Sequence, residues 1–323
     1  MKKALIFGVS GQDGGYLAKL LLSKKYKVYG VSRNLEASNF SRLRHLNILD
    51  SIELISGTAS DFKSVIRALQ KSDPDEVYNL SGQSSVSLSF EQPVETINSI
   101  ILGTQNLLDS IRLHNSRIKL FNSCSTECFG DTGDDVADEL TAFQPKSPYS
   151  VAKSTAFWQV ANYRDAYGIF VCSGIMSNHE SPLRPERFVT QKIVSSACRI
   201  SQGSSERLYL GNLDVERHWG WAPEYVEAMW LMLQYPEPID FIIATEESTP
   251  LKEIVKKIFT FLDLDYTEHL FTKSHLLRPS DFRVSRVTPA KVGKILGWHA
   301  RVDVNDIISN LVKSKLSGEY LDD

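Results

Sequence analysis

Short apolar runs alternate with amphipathic stretches through the first half of the chain. Runs of this kind predict buried strands at 4–7, 27–31, 52–55, 76–80, 118–122 and 169–175. Apolar residues at helical spacing predict helices over 17–22, 62–69, 93–113 and 148–167. Strands that alternate with helices are typical of an α/β fold with a parallel, doubly wound sheet and right-handed crossovers.

The pattern becomes irregular after about residue 176, where loops and short helices carry charged residues among aromatics. This change predicts a smaller C-terminal lobe over the sheet, suited to binding a substrate. We therefore expect a Rossmann domain over 1–175, to which residues of roughly 210–245 return. Residues 176–323 then form mainly the substrate-binding lobe.

Composition excludes several classes of protein. The 323 residues are 42% hydrophobic and carry a net charge of −3, so there is no basic excess for nucleic acid. No apolar stretch approaches the roughly 20 residues that span a bilayer, and the first strand follows Met1 too closely for a signal peptide. We expect a cytoplasmic protein without a membrane partner. Cys124 and Cys128 lack a second ligand pair nearby, so no metal is predicted.

The turn after the first strand contains Gly8-Val-Ser-Gly11-Gln-Asp-Gly14. Glycines between a strand and a helix let main-chain N–H groups approach a pyrophosphate, so this context favours a dinucleotide site over a plain turn. The second strand ends at Ser32, and Arg33 follows where an acidic residue would meet a free ribose 2′-hydroxyl. Arg33, together with Arg42, favours NADP over NAD, although a solvated surface arginine is the alternative.

Candidate chemistry lies around the fifth strand and the helix that follows it. Tyr149 and Lys153 are four residues apart, so their side chains share one helix face. A neighbouring ammonium stabilises a phenolate, and we expect the pKa of Tyr149 to fall below its ordinary value of about 10. Glu127, just past the fifth strand, is a second group able to transfer protons. Two such bases indicate more than a simple alcohol oxidation.

Several of the polar and glycine residues directly follow predicted strands. Ligands of such sheets lie outside the carboxyl ends of the strands, so these residues are expected to converge on one crevice. They are Gly8, Arg33, Thr58, 80–84 and 125–127.

Longer motifs resemble a known family. Among them are Tyr78-Asn-Leu-Ser-Gly-Gln-Ser84, Ser125-Thr-Glu-Cys-Phe-Gly130, Pro145-Lys-Ser-Pro-Tyr-Ser-Val-Ala-Lys153, Asn178-His-Glu-Ser-Pro-Leu-Arg184 and Tyr225-Val-Glu-Ala-Met-Trp230. Together they resemble the extended short-chain dehydrogenase/reductases and, within them, the GDP-mannose 4,6-dehydratase family. The likeness spans nearly the whole chain.

The resemblance implies a redox-neutral dehydration of a GDP-hexose. In this scheme Tyr149 takes the proton of the sugar 4-hydroxyl, to which Ser125 also hydrogen-bonds. Glu127 removes the C5 proton that the 4-keto group acidifies, and water leaves from C6. The cofactor accepts a hydride from C4 and returns it to C6, so it stays bound throughout.

The resemblance also implies binding residues, position by position. The expected NADP contacts are Gly8, Gly11, Gln12, Asp13, Gly14, Arg33, Thr58, Ala59, Leu80, Ser81, Gln83, Ser84, Lys153, His179 and Arg184. The expected GDP-sugar contacts are Ser85, Thr126, Asn178, Val189, Lys192, Gly211, Arg217, Arg278 and Asp281.

Some positions depart from the family pattern. Thr58 replaces an aspartate, Ser81 and Gly82 replace two alanines, and Asp281 replaces a glutamate. The order Ser125-Thr126 replaces the family's Thr-Ser. His218 replaces an aspartate beside Arg217, and Gln191 replaces an arginine beside Lys192. We expect these last two changes to alter the charge of the substrate side and therefore the identity of the sugar.

The same family's paired arginines, which link its subunits, are reduced to Arg33-Asn34. A homodimer is then a safer expectation than a homotetramer.

Three other functions stay open at this point. The chain could act on another GDP-sugar such as a GDP-manno-heptose, or it could be a GDP-4-keto-sugar reductase or dehydrogenase. A reductase has no use for a C5 base, so Glu127 favours dehydration. A non-catalytic nucleotide-binding protein on the same fold is the third alternative. The combination of Ser125, Glu127, Tyr149 and Lys153 argues against it.

Overall fold

A seven-stranded parallel sheet forms the centre of the computed structural model, which describes residues 1–318. In spatial order the strands are β3 (Ile52–Ser56), β2 (Lys27–Ser32), β1 (Lys3–Phe7), β4 (Glu76–Asn79), β5 (Lys119–Ser125), β6 (Val171–Met176) and β10 (Phe241–Ile243). The order 3-2-1-4-5-6 is that of a dinucleotide-binding fold, with β10 added at one edge. The predicted α/β doubly wound sheet is confirmed.

Helices cover both faces of the sheet. One face carries α1 (Gln12–Ser23), α2 (Ser41–His45), α9 (Ala222–Gln234) and α12 (Ala290–Leu296). The other carries α3 (Phe62–Ser72), α4 (Val86–Glu91), α5 (Pro93–Ile97), α6 (Gly103–His114) and α7 (Pro148–Tyr167). Residues of β1 alternate between the two layers: Ala4 and Ile6 pack with α1, while Leu5 and Phe7 pack with α3 and α6. Burial on both faces explains why these strands read as continuous apolar runs.

The remaining elements build the C-terminal lobe. They are β7 (Asn178–Glu180), α8 (Val189–Ser201), β8 (Leu208–Leu210), β9 (Glu216–Trp221), β11 (Ser248–Pro250), α10 (Leu251–Phe261), α11 (Tyr266–His269), β12 (Leu270–Thr272) and α13 (Val304–Leu316). Its own apolar core joins α8, α10 and α13, with Ile193, Ile254, Phe259 and Leu311 fully buried. The last residues of the predicted 176–323 lobe, 319–323, lie outside the described residues. Within residues 1–318 no helix is long and apolar enough to cross a membrane.

One predicted element is different in the structure. The single helix expected over 93–113 is divided into α5 and α6 by a π-helical turn, Asn98–Leu102. Ser99 in this wide turn donates to the carbonyl of Glu95 at 2.7 Å and accepts from the N–H of Gln83 at 3.1 Å. The turn therefore holds the loop that follows β4, which periodicity alone cannot reveal. Such turns are frequent near functional sites.

Candidate active site

A crevice of about 1470 Å³ separates the carboxyl edge of the sheet from the C-terminal lobe. Ligand sites usually occupy about 300–1000 Å³, so this space admits a dinucleotide and a second nucleotide together. Thr126 is buried without lining the crevice, and the other predicted site residues form its wall. They are Gly8, Gly11, Gln12, Asp13, Gly14, Arg33, Thr58, Ala59, Leu80, Ser81, Gln83, Ser84, Ser85, Ser125, Glu127, Tyr149, Lys153, Asn178, His179, Arg184, Val189, Lys192, Gly211, Arg217, Arg278 and Asp281.

The turn at the start of α1 tolerates no side chain at Gly8 or at Gly14. Gly8 has φ +86°, and a Cβ there would lie 2.6 Å from the carbonyl oxygen of Leu80. A Cβ on Gly14 would lie 2.2 Å from the carbonyl oxygen of Gly8. Gly11 caps α1 without a side-chain hydrogen bond, so the first N–H groups of the helix are available to an anion. This cradle fits the pyrophosphate of a dinucleotide.

Asp13 and His179 join this cradle to the lobe. The Nε2 atom of His179 lies 3.0 Å from Asp13 Oδ2, and its Nδ1 atom lies 2.7 Å from the carbonyl oxygen of Ser177. Both partners are acceptors, so both ring nitrogens donate and the imidazole is cationic. Burial alone would lower the pKa of His179, but the Asp13 carboxylate outweighs burial and the pKa is raised. The opposite charge likewise lowers the pKa of Asp13 against the effect of burial.

A second connection runs beside this pair. Gln12 accepts from the hydroxyl of Ser181 at 2.7 Å and donates to the carbonyl of His179 at 3.3 Å. Arg184 donates to the same carbonyl at 2.6 Å, and Arg42 donates to the carbonyl of Leu183 at 2.7 Å. Gln12 thus attaches β7 and the segment after it to the dinucleotide turn, and Arg42 attaches the same segment to α2.

The far end of the crevice lies beyond β2 and β3. Arg33 is exposed there and lines the wall directly after β2. Thr58 follows β3, and its hydroxyl lies 3.0 Å from that of Ser60. The two residues directly after β2 that line the crevice, Arg33 and Asn34, carry no carboxylate.

Glu127 lies in the 3₁₀ turn Thr126–Phe129 at the carboxyl end of β5. The hydroxyl of Ser125 accepts from the main-chain N–H of Glu127 at 3.2 Å, which caps this turn. Glu127 is 8% exposed and lines the crevice. Its Oε1 atom lies 3.4 Å from Nε of Arg217, which lines the same crevice.

Tyr149 and Lys153 lie in the first turns of α7, as their spacing predicts. A capping box of Ser147 and Ser150 begins the helix, with Pro148 at its first position. Lys153 Nζ donates to the carbonyl and the hydroxyl of Ser123, at 2.7 and 3.0 Å.

The expected fall in the pKa of Tyr149 is wrong for this arrangement. Burial raises the pKa of the phenol well above its usual value, the neighbouring Cys128 thiol adds to the rise, and a hydrogen bond with Ser125 only partly offsets it. The Lys153 ammonium is held by Ser123 and lies 5.8 Å from the centroid of the Tyr149 ring. Burial also lowers the pKa of Lys153.

Charged side chains bridge the crevice beyond Glu127. Arg217 Nε lies 3.4 Å from Glu127 Oε1, and Arg217 Nη2 lies 3.4 Å from Asp281 Oδ1. Asp281 also lies 3.4 Å from Arg278 Nη1, and Arg278 Nε donates to the hydroxyl of Ser87 on α4 at 3.2 Å. The substrate side therefore has two arginines facing two carboxylates. Lys192 adds a third cation, whose Nζ donates to the carbonyl of Tyr209 at 2.7 Å.

Two departures from the family pattern do not face the crevice. His218 Nδ1 lies 2.8 Å from the carbonyl oxygen of Thr245, and its Nε2 accepts from the N–H of Val287 at 3.1 Å. Burial lowers the pKa of His218 to about 4, so the ring is neutral. Gln191 is fully buried and donates to the carbonyl of Ser181 at 2.6 Å. The expectation that these residues alter the charge of the substrate side is wrong, because both are core residues.

Sequence reasoning missed three residues that hold the site together. Ser123 binds Lys153, Ser87 binds Arg278, and the ring of Phe282 lies 4.0 Å from Arg217 Cζ. Alternation along β5 could have indicated Ser123, which is two residues from Ser125 and on the same strand face. Ser87 and Phe282 carry no local signal, since their partners are far away in the sequence.

The chain matches a family model described as GDP-mannose 4,6 dehydratase over residues 5–311. It belongs to the GDP-mannose 4,6-dehydratase family. It is 40% identical to GDP-mannose 4,6 dehydratase 1 of Arabidopsis thaliana over 325 residues, covering 98% of this chain and 90% of the plant protein.

Solved structures share the fold of this family member at low identity. A dTDP-glucose 4,6-dehydratase of Bacillus anthracis in complex with NAD superposes with a TM-score of 0.86 at 17% identity, covering 99% of both chains. RMD from Pseudomonas aeruginosa complexed with NADPH gives a TM-score of 0.79 at 18% identity, covering 98% of this chain and 100% of RMD.

Proposed function

We propose that this protein converts GDP-D-mannose to GDP-4-keto-6-deoxy-D-mannose, using a tightly held NADP. The observation that carries the proposal is the presence of Glu127 beside Ser125, Tyr149 and Lys153 on one crevice wall. An oxidation at C4 needs only the tyrosine, whereas elimination of water next to a ketone needs a further base. Membership of the family supports the same reaction.

Each residue has a defined part in this reaction. Tyr149 takes the proton of the 4-hydroxyl, and Ser125 hydrogen-bonds the same oxygen. Lys153 is the cation on the Tyr149 face of α7, and Ser123 fixes its ammonium 5.8 Å from the centroid of the Tyr149 ring. Glu127 takes the C5 proton, and its proton then assists the departure of the 6-hydroxyl as water. A nicotinamide cofactor held at the cradle of Gly8, Gly14 and the start of α1 would supply the redox chemistry, as the carrier of hydride between C4 and C6.

Two features support NADP as the cofactor. The cradle formed by Gly8, Gly14 and the start of α1 fits a pyrophosphate. Arg33 occupies the position after β2 at which a cation accommodates a 2′-phosphate. NAD and NADP titrations with wild type and Arg33→Ala test the preference. Arg33→Ala should lose affinity for NADP and keep its affinity for NAD. An equal loss of affinity for both cofactors would contradict the preference for NADP.

The substrate side supports a GDP-sugar with an ordinary hexose. Lys192 and Arg278 offer cations to a diphosphate, and Asn178, Val189, Gly211 and Asp281 line the same wall. His218 and Gln191 were the changes that favoured a different sugar, and both face the core. That finding supports GDP-mannose over a GDP-heptose.

Incubation of the protein with GDP-mannose and NADP tests the function. The expected product is lighter by one water, with no net formation of NADPH. Steady accumulation of NADPH would identify a dehydrogenase instead. A panel of GDP-, UDP- and dTDP-sugars in the same assay identifies the nucleotide and the sugar.

Assembly as a homodimer is supported by apolar side chains at the surface. Helices α5 and α7 pack together and leave Val94, Ile97, Val151 and Trp158 exposed, the last by 62%. A second copy of the chain could cover this face. Light scattering tests this assembly: wild type should be a dimer and Trp158→Glu a monomer. A monomeric wild type would contradict the proposed homodimer. The cytoplasmic location stays a prediction from the sequence.

A further inference from the structure

Two cysteines flank Ser125 and Glu127, the residues assigned to the C4 oxygen and the C5 proton. Cys124 directly precedes Ser125 near the end of β5, and Cys128 directly follows Glu127 in the 3₁₀ turn. Both thiols are free, and their Sγ atoms lie 3.7 Å apart. Two sulfurs this close can be joined by a small movement of their side chains.

The pair lies between the crevice and α7. Cys124 is 2% exposed and is one of the residues that line the crevice, whereas Cys128 is fully buried. Sγ of Cys124 lies 3.8 Å from the carbonyl oxygen of Lys153, and Sγ of Cys128 lies 3.7 Å from that of Ser150. The two thiols therefore connect the end of β5 to the first turns of α7.

The pair can supply a thiolate, which is the form of cysteine that reacts with oxidants. Burial alone would raise the pKa of Cys128, but its hydrogen bond with the Cys124 thiol and the nearby Lys153 charge outweigh burial, and the pKa is lowered. Burial raises the pKa of Cys124. Thiols that interact this closely release their first proton as a pair. The resulting charge lies between two sulfurs in contact, one of which belongs to the crevice wall.

We propose that Cys124 and Cys128 form a modification site, at which hydrogen peroxide produces a reversible disulfide beside Ser125 and Glu127. The Cys124 sulfur takes one oxygen as the O–O bond breaks, which gives a sulfenic acid, and the other oxygen leaves as water. The Cys128 sulfur then attacks the Cys124 sulfur and expels hydroxide, which is protonated to a second water. Overall, two thiols lose two hydrogen atoms and two electrons, and the peroxide becomes two water molecules.

The disulfide closes a ring over residues 124–128, which contains both Ser125 and Glu127. Within this ring the Ser125 hydroxyl accepts from the N–H of Glu127 at 3.2 Å. The sulfurs are 3.7 Å apart and a disulfide bond is about 2 Å long, so they must approach by roughly 1.7 Å. A displacement of about 1 Å at a reacting group can cost about 100-fold in rate. Oxidation should therefore stop the dehydration, a consequence that rests on the proposed function.

Treatment of the reduced full chain with hydrogen peroxide tests the site. The tryptic peptide 120–146 carries Cys124 and Cys128 and no other cysteine. Its mass should fall by two hydrogen atoms after oxidation, and dithiothreitol should restore it. Dehydration of GDP-mannose should fall about 100-fold in the oxidised protein and recover with the same reductant.

Cys124→Ser removes the sulfur that lines the crevice, so peroxide should leave the activity of this variant unchanged. Cys172→Ser is the matched control. Cys172 is fully buried on β6, where its Sγ lies 3.8 Å from the carbonyl oxygen of Leu120, and the variant should respond to peroxide as wild type does. If Cys124→Ser fails to fold, Cys128→Ser replaces it. Its peptide should gain oxygen, since the sulfenic acid has no second thiol to attack it.

An unchanged mass of the wild-type peptide after peroxide treatment would overturn the inference. Loss of activity in Cys124→Ser equal to that of wild type would also overturn it, as would a loss of two hydrogen atoms in Cys128→Ser. A disulfide that forms without slowing dehydration refutes its effect on catalysis. A reduced wild type that forms no dehydrated product refutes the proposed function itself, and the peptide masses then still decide whether the disulfide forms.

Discussion

Two buried glutamates lie at opposite edges of the central sheet, Glu76 at the amino end of β4 and Glu127 beyond the carboxyl end of β5. Both oxygens of Glu76 are occupied. Oε1 accepts from Lys2, Tyr26 and Gln234 at 2.9, 3.1 and 3.2 Å, and Oε2 accepts from Tyr78 at 2.8 Å. Within residues 1–318, the Glu127 carboxylate has one hydrogen-bond contact, 3.4 Å from Nε of Arg217.

This difference indicates that Glu76 stabilises the fold, whereas Glu127 suits a part in the proposed reaction. A buried carboxylate whose oxygens are all paired contributes to folding and has nothing left for a substrate. Glu127 lines the crevice instead, and the proposed reaction assigns it the C5 proton. Position in the sheet explains the contrast, since the amino edge is filled by α9 and the first residues of the chain, while the carboxyl edge faces the lobe.

The largest expected effect is that of Glu127→Gln on catalysis. Dehydration should fall about 1000-fold, the usual scale for loss of a general base. The unfolding free energy should change by less than about 1 kcal/mol, because Arg217 keeps its main-chain partners. Product mass and urea denaturation measure the two quantities. Activity within tenfold of wild type would remove Glu127 from the mechanism.

Glu76→Gln should lower the stability of the protein and leave its catalytic activity unchanged, the opposite of Glu127→Gln. The amide cannot accept from every donor that now converges on the site, so we expect a loss of about 3 kcal/mol in unfolding free energy. Turnover below the melting temperature should be unchanged. Glu53→Gln is the matched control: its side chain is 40% exposed and pairs with Lys27 and Lys71, so it should cost less than about 1 kcal/mol. Equal losses in both variants would contradict the contrast.

His218 follows Arg217 in the sequence, but both of its ring nitrogens are hydrogen-bonded to the main chain. Its pKa of about 4 lies below the ordinary 6.5, so the unfolded chain takes up the proton first. Its contribution to stability is complete above pH 6.5 and is lost as pH falls towards 4. Between pH 7 and pH 5 the loss is about 2 kcal/mol.

Urea denaturation at pH 7 and pH 5 measures this loss. His218→Gln should reduce the pH dependence by that amount, and His114→Gln, at an exposed histidine, should leave it unchanged. A pH dependence that is the same in all three proteins would show that His218 is not the responsible group.

Lys2→Met should have the smallest effect. The ammonium lies 2.9 Å from Glu76 but is 51% exposed, so water can take its place beside a carboxylate that keeps three other donors. The expected loss is about 1 kcal/mol in unfolding free energy. A loss as large as that of Glu76→Gln would mean that charge, rather than the number of donors, stabilises this cluster.

Most of the fold could be predicted from local features of the sequence. The strands, the glycine turn and the helix over 148–167 were predictable because each depends on residues that are close along the chain. The division of α5 from α6 was not, because the π-helical turn is held by Ser99 bonding to the separate loop at Gln83. Most of the crevice wall was predictable for a related reason, since strand ends in a parallel sheet share one edge.

Residue types and their spacing, by themselves, determined which groups could take part: a tyrosine and a lysine one turn apart, a glutamate past a strand, and glycines where a backbone must approach a phosphate. Only the tertiary structure decided the state of each group. Burial raised the pKa of Tyr149, the main chain fixed Arg217, and the core neutralised His218. The physical reason is that solvation and charge depend on neighbours brought in from distant parts of the chain, and a linear pattern does not contain them.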